Sequence, residues 1–381
     1  MDHSGNVPFL RIHLKFNFKA ILVASILALF FLLGALEARY NLQDDVVVSA
    51  AIIVDQNGHG NFTTVQQAID SIPSNNSQWT RIHINHAIYV EKVVVPKDKP
   101  YIILEGDLDH YPVIEFGDGG NVVTSPTFIA HADNFIAKNI IFKNTYDRID
   151  FMVDVNGRPT TWAVAAAIDG DKQSFYQCRF LSVQDTLSDA RGRHYFYECT
   201  IKGAIDFIFG SGQSLYEVKS PQTFLIFILI ININRKSILR LTQICLQKCQ
   251  IVSVTDVIGF PGYITANGRG GPDDPAGFVF KDCHVSGTGP INLGRAYGNH
   301  SRVLFSGTYM ENIITPQGWM AAWNTGNEDL ISYSEANCSG PGADLSQRVT
   351  WEKKLSDEEV ESLTNAAKFI DQDGWLAKQP K

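Results

Sequence analysis

The chain has 381 residues, 45% of them hydrophobic and 11% aromatic, and a formal charge of −8 at pH 7. That length holds one large domain or two, and no Pro/Ser/Gly-rich linker or long charge run divides it. The acidic balance excludes a nucleic-acid binder, which needs a basic surface, and no polybasic patch offers a hold on anionic lipid.

At the N-terminus, Arg11, Lys15 and Lys19 precede an apolar run from Ala20 to Leu36, with the small residue Ala38 just after it. This is the outline of a secretory signal peptide over residues 1–38, leaving 39–381 as the mature domain. An uncleaved anchor is the alternative, because the run approaches spanning length. On the secretory reading, the sequons at Asn61, Asn75, Asn299 and Asn337 are glycosylation acceptors, about half of them expected to be used. The six cysteines then have permission to pair but do not form a dense framework.

Val65, Ala68, Ile69 and Ile72 fall on one helical face, so a short amphipathic helix is predicted over 62–72. Beyond it, short β-branched and aromatic runs alternate with Gly, Asn and Asp, which reads as β-structure with few hairpin turns. A unit of aromatic, two residues, cysteine, one residue, apolar residue then recurs: Phe175–Cys178–Phe180, Phe196–Cys199–Ile201 and Phe280–Cys283–Val285. Cys178 and Cys199 are one repeat of 21 residues apart, about one coil of a parallel β-helix. The cysteines are then stacked core residues, with a Cys178–Cys199 disulfide as the alternative. Near the far end, Ser356 and Glu359 have the spacing of a capping box before another helix.

One stretch breaks the repeat. Val218–Gln247 has no glycine and no acid, and seven of its residues are isoleucine. Removing it places Cys249 20 residues after Cys199 and restores Tyr216 to the position three before a cysteine. The stretch is therefore foreign to the repeat, either an in-frame intron read as protein or a natural long loop, although a surface loop should be more polar.

Asp185 and Asp206 share the 21-residue spacing, which puts them on neighbouring coils about 5 Å apart. Two carboxyls that close do not both ionise easily, so one pKa should rise and the other fall. That is how a site obtains an acid and an ionised nucleophile together; a surface ladder or a pair of turn residues would share the spacing.

The words around these residues narrow the choice. QDTL (184–187), GAIDFIFG (203–210) and LGRAY (293–297) occur in order, with GNFTTVQQAIDSIP, IYVEKVVV, YITANGR and NCSGPGA around them. Over residues 50–376, apart from the insertion, the chain resembles the plant pectin methylesterases, in a form without the inhibitor-like pro-domain. The resemblance implies an all-β fold, a right-handed parallel β-helix with short helices at the ends, and hydrolysis of galacturonate methyl esters without metal or cofactor. It assigns Asp206 as nucleophile, Asp185 as acid and base, Gln184 as oxyanion donor and Arg295 as the partner of Asp206. Tyr297, where most relatives have Trp, is a sugar platform, and Phe207 is assigned to substrate, with at least one of Phe207 and Phe209 expected in the core. Trp162 stands where relatives carry a second oxyanion-binding Gln, and Ala87 where they usually have Gly. Expected partners are methyl-esterified pectin and a proteinaceous inhibitor, with no nucleic acid and no stable membrane association. The expected molecule is a monomer secreted to the plant cell wall. The competing reading is a pectin-binding β-helix whose catalysis Trp162 and the insertion have impaired. A β-helical lyase or polygalacturonase is disfavoured, since its motifs are absent.

Overall fold

The computed structural model describes residues 48–147, 160–218 and 249–380, all within one unit spanning Val47–Lys381. The expected signal peptide and nearly all of the insertion lie outside the described residues. Three parallel sheets of ten, eight and eight strands wind around a common bore, each coil giving one strand to each sheet. One turn runs Gln173–Tyr176, Arg179–Leu181, Leu187–Asp189, and the next begins at Arg193–Tyr197. This is the right-handed parallel β-helix.

The repeat read from the sequence is the lining of that bore. Phe175, Phe196, Tyr216, Phe280 and Phe305 form one continuous ladder, with successive ring centroids 5.0, 4.3, 4.6 and 4.5 Å apart. Stacking of this kind adds about 0.5–1.5 kcal/mol per pair beyond burial. Cys178, Cys199, Cys249 and Cys283 make a second buried row, and all four are free thiols. Each donates weakly to a nearby carbonyl, Cys199 to that of Phe175 at 3.3 Å, so the alternative of a Cys178–Cys199 disulfide is not realised. Burial pushes the Cys178 thiol up to about 12 and raises those of Cys199 and Cys283, which removes thiolate chemistry from these three.

Between the first and second strands of a coil the chain turns in two residues. The first of the two takes a left-handed conformation: Asn139, Gln177, Glu198 and Asp282 have φ of 57, 54, 53 and 55°. The second is Ile140, Cys178, Cys199 or Cys283, buried in the bore. A polar residue at positive φ followed by a compact apolar one is thus the physical content of the repeat.

The predicted N-terminal helix is shorter than expected, Val65–Asp70, capped by Thr64 and buried through Val65, Ala68 and Ile69. Glu91 in the IYVEKVVV stretch accepts from the backbone N–H groups of Val65 and Gln66, at 2.8 and 3.0 Å. Two of the quoted words are therefore tied together for a structural reason. Ala87 is not among the residues with positive φ, so its backbone does not require glycine. At the other end the capping box of Ser356 and Glu359 is present. The segment after it lays Phe369, Ile370 and Trp375 over Tyr195, Leu215, Val279 and Leu304 on the outer face of the ten-stranded sheet. Among the described residues no helix is long and apolar enough to cross a membrane.

Candidate active site

Asp185 and Asp206 occupy the same place in successive coils, just before the strands Leu187–Asp189 and Ile208–Gly210, which pair Leu187 with Ile208. Both have left-handed backbones, φ 61 and 46°. Such conformations cost energy in an L residue, Asp and Asn least. They turn each carboxyl out of the strand pleat while the backbone stays in the ladder: the Asp185 N–H donates to the carbonyl of Ile205 at 3.0 Å.

Arg295, on the strand Ile291–Ala296, reaches Asp206 with two parallel bonds, Nε to Oδ1 at 2.8 Å and Nη2 to Oδ2. Its guanidinium is clamped between two rings, 4.7 Å from the Tyr263 centroid and 5.2 Å from that of Trp323. No protein hydrogen bond or cation contact reaches the Asp185 carboxyl among the described residues. The two acids therefore differ in kind. Burial, then the charge of Asp206, push Asp185 up to about 8, against a smaller pull from Arg295. Burial also raises Asp206, but the hydrogen bonds and charge of Arg295 oppose it. The expected fall of one pKa does not occur, because desolvation outweighs the ion pair; the two carboxyls still differ, since Asp206 raises Asp185 further while Arg295 opposes the rise at Asp206.

Trp162, Gln184 and Ile205 form one row of bridges across three coils. Gln184 thus sits beside Asp185 with a half-buried side chain. No hydrogen bond within the described residues engages its side-chain amide, so it is available to a ligand. Trp162 lies one coil earlier, 46% exposed. Tyr297 is exposed at the other end of the site, with its ring 5.2 Å from that of Trp323 in a T-shaped contact. Phe207 does not join this surface. It is fully buried in the bore, and its neighbour Phe209 is the half-exposed one. Strand alternation fails there because the left-handed Asp206 turns the chain just before Phe207, and the strand begins only at Ile208.

Three residues of the site have no role in the sequence reading: Tyr263, Met320 and Trp323. Tyr263 donates its hydroxyl to the Met320 sulfur at 3.1 Å while lying over Arg295. Tyr263 lies in the word YITANGR and could have been found there. Trp323 sits on a one-turn 3₁₀ segment, Ala322–Asn324, that no periodicity marks. In the same word, Arg269 serves the surrounding loops, donating to the carbonyls of Asp274 at 2.7 Å and His300 at 3.1 Å.

The Pectinesterase family model matches residues 51–220 and 238–373, breaking inside the insertion. The chain belongs to the pectinesterase family. Among curated relatives, "Probable pectinesterase 29" of Arabidopsis thaliana is 41% identical over 335 residues, covering 88% of this chain and 91% of that protein. "Pectinesterase QRT1" of the same plant is 37% identical over 342 residues, covering 86% and 79%. Among solved structures, the carrot pectin methylesterase is 25% identical with a TM-score of 0.71, covering 88% of this chain and 97% of that one. The Aspergillus niger enzyme, 23% identical with a TM-score of 0.65, shares the fold, with 86% and 98% covered. The family match spans every residue of the site.

Proposed function

We infer that this chain is a carboxylic ester hydrolase that removes methyl groups from the galacturonate esters of pectin, with Asp206 as nucleophile. The observation that carries the assignment of roles is the contrast between the two acids: Asp206 is held by both nitrogens of the Arg295 fork, and Asp185 by none. The Asp206 carboxylate attacks the ester carbonyl carbon, and the side-chain N–H of Gln184 donates to the oxyanion that forms. As the tetrahedral centre collapses, the C–O bond to methanol breaks and the methanol oxygen takes the proton of Asp185. The acyl–Asp206 anhydride remains. Asp185, now ionised, takes a proton from water, whose oxygen attacks the acyl carbon and releases Asp206 and the free galacturonate.

On this reading Tyr297, Trp323 and Trp162 offer exposed aromatic faces to sugar rings, in positions that flank the acids along the sheet. Trp162 supplies one indole N–H where an amide would supply two, so one oxyanion contact is weakened rather than the acid pair removed. The chain works without a cofactor, as a secreted monomer in the plant cell wall, with a proteinaceous inhibitor as its regulatory partner. About half of its sequons are glycosylated in transit, and the segment 1–38 directs that export. The direct test is methanol release from methylated pectin by the parent chain and by Asp206→Ala. The variant should lose activity while its circular dichroism spectrum stays unchanged. Retention of more than a few per cent of parent turnover removes Asp206 as nucleophile.

A further inference from the structure

Directly behind the two acids the bore changes character. Over most of its length the interior row that runs along the ten-stranded sheet is apolar, Phe135 on one side and Phe278 and Val303 on the other. In the coils between them the row is Gln173, His194 and Ser214, all fully buried. Facing it is Asp189, also fully buried, at the end of the strand that follows Asp185. Buried polar groups cost free energy even when they are paired, and an apolar replacement of such a set is often neutral or stabilising. A core whose only task was cohesion would have continued its phenylalanines.

The Asp189 carboxylate is fully engaged. His194 Nδ1 lies 2.6 Å from Oδ1, and the Tyr216 hydroxyl donates to Oδ2 at 2.6 Å. The other ring nitrogen of His194 lies 2.8 Å from the carbonyl oxygen of Gly170, so the imidazole faces an acceptor on each side and is tied to the preceding coil. Tyr216 is wedged between Phe196 and Phe280 in the aromatic ladder, so its hydroxyl has little room to move. The next coil meets the same residue. The N–H of Gly212 donates to the Asp189 carbonyl at 3.0 Å. A Cβ at Gly210, where φ is +123°, would come within 2.1 Å of that carbonyl oxygen, and one at Gly212 within 1.9 Å of Oδ1. Asp189 stands four residues after Asp185, and Gly210 four residues after Asp206. The far ends of the two acid-bearing segments therefore meet at Asp189: its backbone carbonyl accepts from Gly212, and its carboxylate packs against Gly212 while His194 and Tyr216 hold it in place.

We propose that Asp189, gripped by His194 and Tyr216, is a positioning residue that fixes the separation of Asp185 from Asp206. It touches neither substrate nor the reacting atoms, and the proposal rests on the reading of those two acids as the working pair. The mechanism it serves is sensitive to that separation, because misplacement by about 1 Å can cost on the order of 10² in rate. The charged groups that face Asp185 are Asp206 and Arg295. Widening the gap weakens the repulsion from Asp206 and lets in water, and both effects lower the pH at which Asp185 gives up its proton.

The test uses Tyr216→Phe, which removes one donor and keeps the ring stack, with Asp189→Asn as the stronger perturbation. For both we expect kcat on methylated pectin to fall by about tenfold to a hundredfold, with KM within about twofold of the parent. The alkaline limb of the kcat profile should move to lower pH. A ¹³C-carboxyl titration of aspartate-labelled protein should show Asp185 ionising at lower pH in Tyr216→Phe, and this readout does not depend on turnover. If melting temperature drops while kcat, the pH profile and the Asp185 titration stay at parent values, the cluster is only a satisfied core network and the proposal is overturned. It is equally overturned if nothing changes. If the Asp185 titration moves but the parent releases no methanol, the positioning holds and the esterase reading fails instead.

Discussion

Replacing Asp185 by Asn should make the protein more stable and catalytically inert, and the stability gain should depend on pH. In the folded chain burial and Asp206 push Asp185 up from an ordinary 3.8 to about 8. A carboxyl raised on folding contributes its stability below the unfolded value and loses it as pH climbs through the folded one. Between about pH 4 and pH 8, folding must therefore capture one proton that the unfolded chain has released. At about 1.4 kcal/mol per pH unit, the ceiling on that cost is ~6 kcal/mol. Relaxation and water penetration around buried charges reduce such ceilings, so ~2–3 kcal/mol is the working figure at pH 8. Asn is neutral at every pH and is spared the cost. Urea unfolding of parent and variant at pH 5 and pH 8 measures it, because the difference in midpoint at constant slope reports stability alone. The two proteins should differ little at pH 5 and most at pH 8, while methanol release falls by about 10²–10⁴ with the loss of the acid. Parallel stability curves across that range would falsify the raised Asp185, and with it the claim that burial keeps the catalytic proton in place.

Trp162→Gln restores an amide beside Gln184 and should raise kcat by about tenfold or more through a second oxyanion donor; equal turnover at matched stability would mean that the indole has a role of its own. Trp323→Ala removes one jaw of the clamp on Arg295 together with an exposed ring, so it should raise KM for polymeric pectin and lower kcat by a smaller factor. If neither constant moves by more than about twofold, Trp323 is outside the working site.

The bore was legible because a parallel β-helix repeats its interior one coil at a time, so Phe175 and Phe196, or Cys178 and Cys199, must recur at the coil length. The same coil-length spacing puts Asp185 beside Asp206. What it could not give was the departure from strand geometry at the site itself. The left-handed backbone at Asp206 sends Phe207 inward, against the alternation a strand would impose. Tyr263 and Trp323 reach Arg295 from a strand and a distant 3₁₀ turn, and their approach is set by tertiary packing rather than by any local pattern. The Asp189 cluster was invisible for a related reason: Tyr216 was legible as lining of the bore, but Asp, His and Ser in a row of strands read as solvent-facing until their burial is known.

The insertion is where repeat logic and structure meet most sharply. Every other cysteine of the row lies near the carbonyl of the residue two before it: Cys178 and Tyr176 at 3.5 Å, Cys199 and Tyr197 at 3.6 Å, Cys283 and Lys281 at 3.5 Å. Cys249 makes that contact with Glu217, at 3.4 Å, across 32 positions of sequence. Glu217 and Gln250 end and begin strands that keep full register with the coils on either side. The fold thus closes as though Glu217 were followed by Lys248 and Cys249, the two-residue turn of every neighbouring coil. Deleting 218–247 should leave the β-helix intact. Going from a turn of two residues to a loop of 32 is four doublings of length, at about 0.6 kcal/mol each. The deletion should therefore stabilise the protein by ~2 kcal/mol and raise soluble yield, since it also removes the uncharged, isoleucine-rich run 224–233 that favours aggregation. A deletion variant that fails to fold, or melts below the parent, would show that the segment carries packing of its own. Sequencing the mature transcript decides its origin: an intron read as protein predicts mature messages that lack these ninety bases, and their presence in every message makes the segment a true loop.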